Sequence, residues 1–114
     1  MEKDSDFFEK VYSVVSKIPY GKVTTYGIIA EYIGLKSSAR MVGWALNSAK
    51  YDLSLPCHRV VNRNGELTGK RYFPTPTMMR ELLESEGVEF IYDTVNIDKH
   101  LWKPNLIVNS KKNK

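Results

Sequence analysis

Apolar side chains recur at Phe7, Phe8, Val11, Val14, Val15 and Ile18, the three-and-four spacing that lines one face of an α-helix. Ser5 or Asp6 can cap its start, and Pro19 with Gly21 closes it. After the bridge YGKV, the segment TTYGIIAEYIG places Ile29, Ala30 and Ile33 on one face. Thr24 or Thr25 serves as its N-cap and Gly34 stands at the C′ position. Ser37 or Ser38 then opens a third helix, SARMVGWALNSA, with Met41, Val42, Ala45 and Leu46 as its inner stripe. Two short helices joined by GLKS read as a helix-turn-helix; spacing alone favours an ordinary helical hairpin, and the composition of the second helix shifts the reading.

The pattern changes at LSLPCHRVV, which is short and β-branched and predicts an extended segment entered through Pro56. VVNRNGEL predicts strand, turn and strand, with Asn64-Gly65 supplying the positive φ angles of a tight hairpin. A hairpin after a helix-turn-helix is a wing. Its continuation, TGKRYF, sets Lys70 and Arg71 beside Tyr72 and Phe73, a cation-and-aromatic run suited to phosphates and bases. PTPTMMRELLESEG predicts a helix capped by Thr75 or Thr77 and ended by Gly87, with Met78, Met79, Leu82 and Leu83 inward. VEFIYDTVNIDKHLWKPNLIV has no clear period, and His100 and Trp102 within it read as packing or surface residues. Residues 1–108 form one expected domain, and 109–114, ending in lysines, a disordered basic tail.

Charge and composition narrow the chemistry. The 114 residues carry a formal net charge of +4, compatible with a nucleic-acid partner. No apolar run approaches the roughly 20 residues of a spanning helix, and the charged N-terminus does not resemble a signal peptide. One cysteine excludes an internal disulfide and fits a reducing, cytoplasmic compartment. One cysteine and two histidines give no zinc-ligand spacing, and the scattered glycines give no phosphate loop, so neither metal nor cofactor is expected. Arg40 lies near the start of the third helix among small side chains, Ala39, Gly43 and Ala45. A glycine inside a helix costs about 1 kcal/mol relative to alanine, so something should approach Gly43 closely, either a crossing helix or a DNA backbone.

The sharpest chemical feature is Cys57 beside His58. A free thiol is only slightly ionised at neutral pH, and a histidine oriented by a carboxylate removes that handicap. In a regular strand adjacent side chains face opposite ways, so a direct Cys57–His58 bond is not expected and a water or a turn would have to connect them. Taken alone, a cysteine in an apolar run is more often a small buried hydrophobe than a nucleophile.

Together, PYGKVTTYG, SSARMVGWAL, PCHRVVNRNG and LLESEGV resemble, in order, the active-site and DNA-binding domain of the O6-alkylguanine-DNA alkyltransferases and their relatives, the alkyltransferase-like proteins. The resemblance implies a mainly α fold with a small β-hairpin, a winged helix-turn-helix that enters the minor groove of duplex DNA. It also implies that a damaged guanine is rotated out of the stack. Arg40 would fill the gap, Tyr26 would crowd the phosphate, and Ala39 and Gly43 would fit the narrow groove. Thr25, Ser38, Arg59, Lys70 and Arg71 would complete the DNA surface. Cys57 would accept the alkyl group as a thioether, with His58 drawing its proton through a water and Glu86 orienting His58.

Three departures point toward the alkyltransferase-like proteins: no counterpart of the N-terminal domain, Ala49 at the hinge asparagine position, and an altered loop at 68–77. Those proteins usually carry a non-nucleophile where this chain has Cys57. Two readings follow, a compact single-turnover alkyltransferase or a monomeric damage sensor that recruits nucleotide excision repair proteins. A winged-helix transcription regulator ranks third. Retention of Cys57, His58 and Glu86 favours transfer.

Overall fold

The computed structural model describes residues 2–34, 38–49, 52 and 54–104; most of the GLKS connection, Ser37 as a cap and the 109–114 tail lie outside them. Three helices make the first layer: α1 (Glu2–Val15), α2 (Tyr26–Ile33) and α3 (Ala39–Ser48). Their inward faces are those the periodicity predicts. Val11, Val14, Val15, Ile18, Ile29, Ala30, Val42, Ala45 and Leu46 bury together. α1 begins at Glu2, so positions 5 and 6 stand inside the helix and not at its start. α1 reaches α3 closely because Ala45 is small, and the Tyr12 hydroxyl donates to the Ala45 carbonyl at 2.8 Å, satisfying an acceptor in the last turn of α3.

Two hydroxyls set where the helix pair starts. Thr25 Oγ accepts from the Ile28 N–H at 3.1 Å, and Ser38 Oγ accepts from the Met41 N–H at 3.2 Å. Thr25, expected at the DNA surface, is buried and spends its hydroxyl on capping α2. Gly34, at φ 109°, ends α2.

The second layer hangs on a two-residue parallel pairing of β1 (Thr24–Thr25) with β2 (Val60–Val61). Successive strand side chains face opposite ways, so Val60 enters the helical core and Val61 a second core with Val23, Met79, Leu83, Val88 and Val95. The residues just before β2 are thereby fixed between both cores. Met79 and Leu83 come from α4 (Met78–Ser85), which closes at Glu86 with Gly87 at φ 88°.

Two expectations change. Cys57–Arg59 form one turn of 3₁₀ helix, not an extended segment. The Asn62–Gly65 turn forms, with the Gly65 N–H donating to the Asn62 carbonyl at 2.9 Å, yet no return strand follows at 66–67. Gly65 docks instead on a later strand: its carbonyl accepts from the Val95 N–H at 2.9 Å. A Cβ at Gly65 would stand 2.6 Å from the Val95 carbonyl oxygen, so only glycine allows this approach. The small antiparallel hairpin pairs β3 (Phe90–Ile91) with β4 (Thr94–Val95), followed by the short α5 (Ile97–His100).

Candidate active site and nucleic-acid interface

Glu86 is the hub of the buried chemistry. Where α4 ends, its carboxylate turns inward and is only 7% exposed. His58 Nε2 lies 2.7 Å from Oε2. Arg59 donates through Nε to Oε1 at 2.9 Å and through a terminal nitrogen to Oε2 at 2.7 Å. The Gly21 N–H donates to Oε1 at 3.1 Å. Burial alone raises the carboxyl pKa, but the bonds from Arg59, His58 and Gly21 outweigh it and hold it at about 2. Burial lowers the His58 pKa, with Glu86 opposing, leaving it below the ordinary 6.5. A neutral imidazole facing a carboxylate through Nε2 carries its proton there, so Nδ1 keeps the lone pair.

Arg59, expected at the DNA surface, is engaged within the protein. Besides Glu86 it donates to the Ile18 carbonyl at 2.8 Å and lies 5.7 Å from the centre of the Tyr20 ring. A buried carboxylate needs such compensation, and Arg59 supplies it while pinning the Cys57–Arg59 turn to α4.

Cys57 packs partly buried against the helical core. Burial, and next the Asp52 carboxylate, push its thiol up to about 11, so it rests protonated at neutral pH. Neighbours in a 3₁₀ turn are about 120° apart, and His58 points to Glu86 while Cys57 faces the core.

An open groove of about 320 Å³ is lined by Tyr26, Ala39, Arg40, Gly43, Thr68, Arg71 and Tyr72. Five sequence-predicted residues thus meet in one place. Ala39 and Arg40, in the first turn of α3, are exposed. Among the described residues a Cβ at Gly43 would find nothing within 4 Å, so no described helix crosses closely there. The 68–72 loop folds onto Tyr26: a Cβ at Gly69 would stand 3.1 Å from its hydroxyl. Burial raises the Tyr26 pKa, with the Thr68 side-chain hydrogen bond opposing. Arg71 lies 5.5 Å from the centre of the Tyr72 ring. Lys70 departs from its expected place, since it lines two neighbouring clefts and not this groove. Ser38, exposed at the helix start, spends its hydroxyl on capping.

Ile18, Tyr20 and Gly21 were missed as site residues because they meet Arg59 and Glu86 only through the fold. Thr68 and Tyr72 carry no signal beyond the basic-aromatic run that contains Tyr72. Among the described residues no group of three or more His, Cys, Asp or Glu side chains could hold a metal ion, and no helix is long and apolar enough to cross a membrane.

Residues 6–88 match the family described as 6-O-methylguanine DNA methyltransferase, DNA binding domain. The chain is 41% identical over 105 residues to alkyltransferase-like protein 1 of Schizosaccharomyces pombe, spanning 87% of this chain and 96% of that protein. It is 43% identical over 90 residues to the DNA base-flipping protein of Escherichia coli, 77% of this chain and 67% of that one. The crystal structure of S. pombe Atl1 with damaged DNA containing O6-carboxymethylguanine superposes with a TM-score of 0.73 at 40% identity, covering 88% of this chain and 97% of that one.

Proposed function

Because the chain belongs to the 6-O-methylguanine DNA methyltransferase family through its DNA-binding domain, we propose that it binds duplex DNA carrying O6-alkylguanine and turns the damaged nucleotide out of the stack. The observation that carries this reading is Gly43. It keeps a helix-interior glycine, at a cost of about 1 kcal/mol, beside exposed Arg40, and among the described residues nothing lies within 4 Å of a Cβ placed there. Approach from outside is the reason that remains, and the minor groove is the narrow surface that α3 would enter. Unstacking costs a few kcal/mol per step. Arg40 inserted in the vacated position offsets part of this, and Tyr26 and the 68–72 loop border the extruded base. Arg71 and the net positive charge attract the phosphates. The named relatives, one a base-flipping protein and one seated on damaged DNA, support the reading. The winged-helix regulator reading accounts for neither Glu86 nor the family match. Comparing duplexes with and without O6-methylguanine tests it, with Arg40→Ala expected to erase the preference.

Alkyl transfer to Cys57 is a second reading, favoured by the His58–Glu86 bond that presents Nδ1 as an acceptor. The thiol proton would pass through a water to Nδ1, and Sγ would attack the alkyl carbon as its bond to O6 breaks. The guanine takes the electron pair and a proton, and the thioether ends the reaction after one turnover. Against it stands the resting thiol: a pKa near 11 makes ionisation at pH 7 cost about 5 kcal/mol. Lesion binding is accordingly the primary conclusion. In that role a monomer would present the flipped base to nucleotide excision repair proteins in a reducing, cytoplasmic compartment, where its single cysteine stays a thiol. Intact mass after incubation with an O6-methylguanine duplex separates the readings: one added methyl, absent in Cys57→Ser, supports transfer, and tight binding at unchanged mass excludes it.

A further inference from the structure

His100 lies beyond the residues that match the family, is buried at 7% exposure, and has both ring nitrogens engaged. The Glu89 N–H donates to Nε2 at 3.0 Å. That bond requires a lone pair at Nε2, so the ring is neutral with its proton on Nδ1, and Nδ1 donates to the Gly21 carbonyl 3.1 Å away. The N–H of that same Gly21 donates to Glu86 Oε1. One glycine thus joins the two histidines: His100 holds its carbonyl, and its N–H holds the carboxylate that holds His58. Gly21 sits at φ 81°, and a Cβ there would lie 3.2 Å from the Glu86 carbonyl oxygen, so the link accepts no side chain without strain.

The surrounding backbone reinforces this link. The Val23 N–H donates to the His100 carbonyl at 3.0 Å, and the Trp102 N–H donates to the Val23 carbonyl at 2.7 Å. Residues 18–23 are therefore clamped from the C-terminal side. The same loop provides the Ile18 carbonyl and the Tyr20 ring to Arg59. Hydrogen bonds in series polarise one another and fix one geometry in a water-poor interior.

We infer that His100 is a positioning residue of the His58–Glu86–Arg59 site: through Gly21 it fixes the carboxylate that keeps His58 in its Nε2–H tautomer. The inference concerns the free protein, so it stands or falls apart from lesion binding.

Nitrogen-15 NMR of the imidazoles tests it, and with two histidines in the chain only two sets of ring signals must be assigned. In the unaltered protein at neutral pH, His100 is expected as the Nδ1–H tautomer and His58 as Nε2–H. Finding His100 as Nε2–H removes the link to Gly21 and overturns the inference without any variant. His100→Phe keeps the apolar bulk and loses both bonds. It should mix the His58 tautomers and speed exchange of the Nε2 proton at least tenfold. His100→Asn, whose amide can donate to the Gly21 carbonyl, should recover part of the slow exchange. If His100 only fills space, the His58 signals of folded His100→Phe will match the unaltered protein, and the inference is wrong.

Discussion

Glu86→Gln removes the charge on which three donors converge and leaves the shape nearly unchanged. Holding this carboxyl at about 2 against an ordinary 4.5 corresponds to roughly 3 kcal/mol at 1.36 kcal/mol per pH unit. Solvent at the rim of the site screens part of that, so we expect about 2 kcal/mol. The amide also turns an N–H₂ toward Arg59 or His58, and one-sided removal of a buried ionic partner is costly. The sign follows from the direction of the shift. A folded-state pKa below the unfolded one gives stability that is complete above about 4.5 and is lost as pH falls toward 2. Urea unfolding across pH is the assay. Glu86→Gln should be about 2 kcal/mol less stable at pH 7, near 10 °C in melting temperature for a domain of this size. The gap should close as pH falls from 4.5 toward 2. Equal stability at pH 7, or a gap that persists at low pH, would refute the ionic account of the hub.

Other outcomes follow from the same geometry. Gly43→Ala should stabilise α3 by up to about 1 kcal/mol, since open space surrounds the site, while Gly43→Leu should weaken DNA binding tenfold or more without loss of melting temperature; a parallel loss of both would contradict the groove. Alkylation of Cys57 by iodoacetamide in the free protein should accelerate with pH toward a midpoint near 11, and a midpoint below 8 would show an activated thiolate and revive transfer. Thr25→Ala should cost about 1 kcal/mol by thermal or urea unfolding, whereas an unchanged stability combined with weaker DNA binding would return Thr25 to the DNA surface.

Helices α1 to α4 were legible because each has its own apolar stripe: Val11, Val14 and Val15 on α1, or Met79 and Leu83 on α4, declare an inward face without knowledge of the partner. The four-residue α5 carries no such stripe. The turn at Asn64-Gly65 was equally local. What the turn leads to was not, because Gly65 bonds to Val95, thirty residues on, and the parallel β1–β2 pairing joins segments with no sequence signal in common. The β3–β4 hairpin escaped notice because it turns at Tyr92, a non-glycine residue at φ 59°, and so shows no Asn-Gly mark. At the site, the pairing of His58 with Glu86 and the meeting of Tyr26 with Arg40 were legible through motif order. Arg59 sits in the same motif, yet adjacency does not tell whether a guanidinium faces solvent or a buried carboxylate. The three-residue turn decides that. His100 illustrates the opposite case: an isolated histidine in a patternless segment reaches the site only through Gly21.

The account rests most directly on the groove beside Arg40 reading a damaged base. Fluorescence anisotropy at fixed salt, with two duplexes that differ only by one O6-methyl group on guanine, measures this. The protein should bind the modified duplex at least tenfold more tightly, and Arg40→Ala should bring the two affinities together. Equal affinity for both duplexes, or a lesion preference untouched by Arg40→Ala, would contradict it.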